Sequence, residues 1–209
     1  MKPDSLIFDM DGTLWDAVDT YVLAWNNSFD SKKLPHTVTR DDLLSCMGKD
    51  VKTILKSIFT DEEKRFIDEL ADEVNSQYRA LMPTMSFTVY PGVNKGLERL
   101  SKQYKLFMLS NCEKDSLPNF MKHTHTSHLF TDYMEFGMNL QPKSVNLKLL
   151  KEKHQLQNPF YIGDTDHDAE ECCLAGIPFV YVTYGFGQTS KYDYVFDSFL
   201  ELTDYFLTL

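Results

Sequence analysis

No stretch of the sequence approaches the roughly 18 consecutive apolar residues that a membrane-spanning helix needs, so none is expected. Positive charge is in short supply. Lysine and arginine number 21 against 31 aspartates and glutamates, a formal net charge of −10. An acidic surface argues against nucleic acid and anionic membrane as main partners, and any anionic ligand then needs a locally positive site. Cysteine is sparse. The four residues, Cys46, Cys112, Cys172 and Cys173, are spaced neither as a zinc site nor as the disulfide framework of a small secreted domain. They read as reduced thiols of a cytoplasmic protein. Met1-Lys2-Pro3-Asp4 leads straight into an apolar run without a signal-peptide pattern. Internal repeats and low-complexity tracts are missing too. What is present is ordinary globular material, 43% hydrophobic and 25% charged over 209 residues. That length allows one domain with a large insertion, or two small domains.

Short buried runs alternate with helical patterns over much of the chain. Leu6–Phe8 reads as a buried strand, and Gly12 lets the chain turn after it. From 15 to 83 the pattern is helical only. Val18, Val22, Trp25 and Phe29 form one apolar stripe, Val51, Ile54, Leu55 and Ile58 another, and Phe66, Leu70 and Val74 a third. Thr39 with Asp42 opens a further helix over 40–46. Strands return after Tyr90. The runs 105–109, 131–136, 159–162, 179–182 and 194–196 read as strands, separated by helices, one of which stops at Gly176 and one of which ends the chain over 199–207. The sequence therefore predicts an α/β fold with a parallel sheet between helical layers, formed by 1–14 and 84–209, with 15–83 as an inserted all-helical subdomain. In such sheets ligands bind beyond the carboxyl ends of the strands.

Polar residues gather at those ends. Asp9 and Asp11, two positions apart, share a face if the backbone there is extended. Two close carboxylates repel and need a counter-charge, for which Mg²⁺, a hard cation, is suited. Ser110 and Asn111 follow one strand, Asp164 and Asp168 another, and Lys143 stands at a helix start after Pro142. Phosphoryl transfer needs a nucleophile, a proton donor and positive charge around the phosphoryl oxygens. Asp9 can be the nucleophile and Asp11 the acid and base. Ser110, Asn111 and Lys143 can take phosphoryl oxygens, Asp164 can complete a Mg²⁺ site, and Asp168 can hold Lys143 or a metal-bound water.

Asp9-Met10-Asp11-Gly12-Thr13, Ser110, Lys143 and Gly163-Asp164 through Asp168 resemble, in order, the four motifs of the haloacid dehalogenase superfamily, whose phosphatase branch opens on DxDGT. The resemblance covers nearly the whole chain. It implies a Rossmann-like three-layer core with a helical cap. It assigns Asp9 as nucleophile and Asp11 as general acid and base whose backbone carbonyl also binds metal. Ser110 matches the second motif's hydroxyl and Lys143 the third motif's lysine, and Asp164 and Asp168 match the two acids of the fourth. Within the superfamily the chain looks like the group of phosphoglycolate phosphatases and β-phosphoglucomutases. The resemblance then implies a Mg²⁺-dependent phosphatase that hydrolyses a small phosphorylated metabolite through an aspartyl-phosphate, as a monomer or weak homodimer. In the resembling enzymes a cap turn meets the substrate's leaving group, which here points to Lys49 in Met47-Gly48-Lys49-Asp50. One departure is visible: the family often has Lys-Pro, whereas here Pro142 precedes Lys143, and Lys148 is the alternative. The full DxDGT argues against a dehalogenase. The rival readings are a sugar-phosphate mutase, a pyrophosphatase and a catalytically silent binding protein on the same fold.

Two other features read as structural. His123, His125 and His128 lie close together, but without an acidic cluster they fit a polar helix end better than a metal site. Cys112, beside Ser110, has no evident histidine partner for a nucleophilic role.

Overall fold

The computed structural model describes residues 2–60, 63–84 and 87–209. In chain order the first elements are β1 (Ser5–Phe8), β2 (Trp15–Asp16), α1 (Val18–Ser31), α2 (Arg40–Leu44), α3 (Val51–Ile58), α4 (Ile67–Leu81) and β3 (Thr88–Val89). There follow α5 (Val93–Leu100), β4 (Lys105–Ser110), α6 (Ser116–His123), β5 (Phe130–Glu135), α7 (Phe136–Asn139) and α8 (Lys143–Lys153). The chain closes with β6 (Pro159–Gly163), α9 (Asp166–Ala175), β7 (Phe179–Val182), β8 (Tyr194–Phe196) and α10 (Phe199–Leu207). Two compact units result: Met1–Trp15 with Val89–Leu209, and Asp16–Thr88. Among the described residues no helix is long and apolar enough to cross a membrane.

The first unit is a six-stranded sheet in the order β5-β4-β1-β6-β7-β8. Every neighbouring pair is parallel. Parallel strands covered on both faces read as continuous apolar runs rather than alternating ones, and β1, with all four residues buried, is such a strand. One face carries a core of Ile7, Phe107, Leu109, Tyr161 and Phe179 under Leu147 and Leu150 of α8 and Cys172 of α9. On the other side Phe8 meets Phe199 of α10, with ring centroids 5.9 Å apart, and Leu202 and Phe206 are buried as well. Each such side chain contributes about 1.5–3 kcal/mol by leaving water. The architecture is thus α/β in three layers.

The second unit is helical. Trp25 and Phe29 of α1, Leu55 of α3, and Leu70, Val74 and Tyr78 of α4 are buried. The start of α2 is held by a capping box, in which the Thr39 side chain accepts from the Asp42 N–H and the Asp42 carboxylate accepts from the Thr39 N–H. Asp50 caps α3 through the Thr53 N–H. The sequence pattern extended the helix after Thr39 to position 46, whereas α2 stops at Leu44. It also missed β2, which opens the segment read as purely helical, and the single turn α7. Elements of two to four residues carry no periodicity to read.

Candidate active site

The three adjacent strands β4, β1 and β6 end side by side, because they are parallel and in register (Phe8 pairs with Met108 and with Ile162). β1 stops at Phe8, so the alternation expected to aim Asp9 and Asp11 alike does not extend over them. Their carboxylates have separate partners. Asp9 Oδ2 accepts from Lys143 Nζ at 2.8 Å, and Oδ1 from the Met10 N–H at 2.8 Å. The Ser110 hydroxyl at the end of β4 also bonds to Asp9. Asp11 Oδ1 accepts from the buried Trp15 indole at 2.9 Å. Asn111 lies with its amide 3.3 Å from His167 Nε2.

Lys143, the first residue of α8, is wholly buried. Its ammonium bridges Asp9 and Asp168, the latter at 2.5 Å, and stands 5.1 Å from the centre of the Tyr161 ring. Lys148, the alternative, is exposed. Asp168 is the third residue of α9 and completes a capping box with Thr165. Its Oδ2 accepts from the Thr165 N–H and hydroxyl at 3.0 and 2.7 Å and from the Asp164 N–H at 3.3 Å. Asp164, also wholly buried, accepts from the Phe186 N–H at 2.7 Å, with the Thr13 hydroxyl at 3.4 Å. Backbone closes around it. Gly12 has φ +78°, and a Cβ there would lie 2.1 Å from Asp164 Oδ2. A Cβ on Gly185 would lie 2.3 Å from Asp164 Cβ. Only glycine fits either place.

Among the described residues, Asp9, Asp164 and Asp168 form the one group of acidic, histidine or cysteine side chains able to share a metal ion, with ligand atoms within 4.8 Å of one another. Burial pushes the Asp164 carboxyl well above its ordinary value, and the charges of Asp168 and Asp9 add to the rise. Burial also raises Asp9, and Lys143 pulls it back only in part. Asp168 is buried as deeply, yet Lys143 and the Thr165 bonds prevail and hold it below the usual range. Burial works against the Lys143 ammonium too, but Asp168 and Asp9 override it and hold the proton on. Three buried carboxylates thus face one buried ammonium, and Asp168 is the most heavily hydrogen-bonded of the three. The hard oxygen donors of Asp9 and Asp164, with charge left uncompensated, suit a divalent cation.

Lys49 belongs to the second unit, exposed in the turn between α2 and α3. His123, His125 and His128 form no metal-binding group among the described residues. Burial, with Glu135 and other nearby acids, pushes the Cys112 thiol well up, which makes it a poor nucleophile. Sequence reasoning missed Trp15, Tyr161, Phe186 and Glu171 as partners of the site. Only Phe186 had a signal, lying between Gly185 and Gly187 after a strand.

A model of the haloacid dehalogenase-like hydrolases matches residues 6–182. A phosphoglycolate phosphatase of Rhodobacter capsulatus is 28% identical over 195 residues, covering 88% of this chain and 86% of its own. Another, of Pasteurella multocida, is 26% identical over 216 residues, covering 93% and 94%. Among solved structures, a haloacid dehalogenase-like hydrolase of Streptococcus pneumoniae has the same fold at a TM-score of 0.85 and 22% identity, covering 98% of each chain. The CbbY protein of Rhodobacter sphaeroides, solved with phosphate, reaches 0.80 at 16% identity over 96% of each.

Proposed function

The chain belongs to the haloacid dehalogenase-like hydrolase family, and from that premise we propose that it is a Mg²⁺-dependent phosphatase of small phosphorylated metabolites, working through an aspartyl-phosphate on Asp9. The observation that carries this reading is the Asp9 carboxylate, buried at a strand end with the Lys143 ammonium 2.8 Å away and the Ser110 hydroxyl bonded to it. An Asp9 oxygen attacks phosphorus, and the bond from phosphorus to the ester oxygen breaks. Asp11 gives that oxygen its proton, then takes one from the water that attacks the aspartyl-phosphate. Phosphate leaves and Asp9 is restored. Ser110, Asn111 and Lys143 donate to the phosphoryl oxygens, and Asp168 keeps Lys143 in place. Asp9, Asp164 and the Asp11 carbonyl would hold Mg²⁺, whose charge offsets the repulsion between carboxylate and phosphate. The names of the relatives support phosphoglycolate, a phosphomonoester with a carboxylate, as substrate, with Lys49 as the cation that meets the carboxylate.

The test is phosphate release from a panel of phosphorylated metabolites, with Mg²⁺ and after chelation, scored also for isomerised product. The wild type is expected to release phosphate only with metal. Asp9→Asn, whose amide cannot attack phosphorus, should lose at least about a thousandfold in kcat. Residual activity within about tenfold of wild type removes Asp9 as nucleophile. Isomerisation without release makes the protein a mutase.

A further inference from the structure

Glu171 is a buried carboxylate that the phosphatase chemistry does not use. It sits on α9 one turn beyond Asp168, so the two share a helix face. Its Oε2 accepts from the Ser144 N–H at 2.5 Å. Ser144 is the second residue of α8, directly after Lys143. The N-terminus of α8 lacks a side-chain cap of its own, because its N-cap is Pro142, whose side chain cannot hydrogen-bond. The Val145 and Asn146 N–H groups both reach the Pro142 carbonyl at 3.1 Å. The Ser144 N–H finds its acceptor on another helix, and that acceptor's negative charge suits the positive end of the α8 dipole. The loop before α8 is pinned separately. The Asn146 amide donates to the Gln141 carbonyl at 3.2 Å and accepts from Asn139 at 2.7 Å.

We propose that Glu171 is a positioning residue for Lys143. Asp168 grips the lysine's ammonium while Glu171, one turn along the same helix, grips the backbone just after it. Lysine has a flexible four-carbon stem, so fixing Nζ alone leaves the stem free to shift with its helix turn. Fixing backbone and ammonium together holds the charge over Asp9. Loss of Glu171 leaves the Ser144 N–H beside Lys143 without its acceptor, while the Asn139–Asn146 and Asn146–Gln141 bonds keep the loop and the helix beyond. The catalytic consequence rests on the phosphatase reading; the placement of Lys143 does not.

Glu171→Ala, Glu171→Asp and Glu171→Gln are compared with wild type, each checked for folding by circular dichroism. The aspartate is one methylene too short to reach, and the glutamine keeps an acceptor oxygen. The first readout is acetylation of Lys143 by acetic anhydride, measured by mass spectrometry against the exposed Lys148. Wild type and Glu171→Gln are expected to protect Lys143, and the alanine and aspartate variants to expose it by about tenfold or more. The second is kcat/KM on p-nitrophenyl phosphate with Mg²⁺. It should fall about tenfold or more in the alanine and aspartate variants and recover to within about threefold of wild type in the glutamine variant. In a Lys143→Ala background Glu171→Ala should cost nothing further, whereas its effect on Tm persists. Unchanged acetylation in both the alanine and aspartate variants overturns the proposal, as does an undiminished kinetic effect without Lys143. Absence of phosphate release by wild type sinks the phosphatase reading instead, and acetylation still decides the role of Glu171.

Discussion

Asp164 has a folded-state pKa well above 3.8, because burial and the charges of Asp168 and Asp9 disfavour its ionised form. Its favourable share of stability is present below the unfolded pKa and is lost as pH rises through the folded one. Metal-free Asp164→Asn, which cannot ionise, should therefore melt above metal-free wild type at pH 7, by a few degrees. The gap should close as pH falls toward 3.8. The same variant should lose the rise in Tm that the proposed Mg²⁺ site would give the wild type. Calorimetry from pH 4 to 8, with chelator and with Mg²⁺, measures both. A variant that melts below wild type at pH 7 without metal would remove the buried charge as the cause. At this scale Asp9, Lys143, Asp164 and Asp168 were legible, since each follows a strand or opens a helix in a recognisable order. Trp15 and Glu171 were not. Each bonds to a group whose proximity only the folded chain creates, and an indole or a mid-helix glutamate carries no local mark of such a partner.

Glu135 repeats at another helix what Glu171 does for α8. It ends β5, is buried, and accepts from the Asp115 and Leu117 N–H groups at 2.9 and 2.5 Å. The N-cap of α6, Asp115, has φ +73° and makes no side-chain cap of its own. Two helices thus borrow their caps from neighbouring elements. Glu135→Ala should cost about 1–3 kcal/mol in urea unfolding, the penalty of orphaned buried N–H groups. It should leave acetylation of Lys143 as in wild type, because α8 keeps its own partner. A loss below about 0.5 kcal/mol would mean that water replaces the carboxylate. Strands such as β4 were legible because 105–109 is a compact apolar run; β2 and α7 are too short for any period to register.

At the level of the whole molecule, a chain with a net charge of −10 must offer an anionic substrate cations of its own. Lys143 is proposed to meet the phosphate. The carboxylate of phosphoglycolate needs a second cation, and Lys49 is the proposed one. Lys49→Ala should raise KM for phosphoglycolate about tenfold while changing that for p-nitrophenyl phosphate by less than about twofold. Steady-state kinetics on the pair decides it, since equal effects on both, or none, leave Lys49 an ordinary turn residue. The stretch 15–83 carries helical periodicity, and α1 to α4 lie within it. The meeting of Asp9 with Lys143, 134 positions away, was carried only by the order of motifs.

The place of β1 in the sheet sets an order of events during synthesis. Its neighbours are β4 and β6, and Ser5 pairs with Lys105 and Pro159. A ribosome that has made the first strand must add about a hundred residues, at about 5–20 per second, before either neighbour exists. Residues 16–88 emerge in that interval and contact mainly one another. The helical unit can thus finish before the sheet begins, while the strand that leads into Asp9 waits for partners not yet translated.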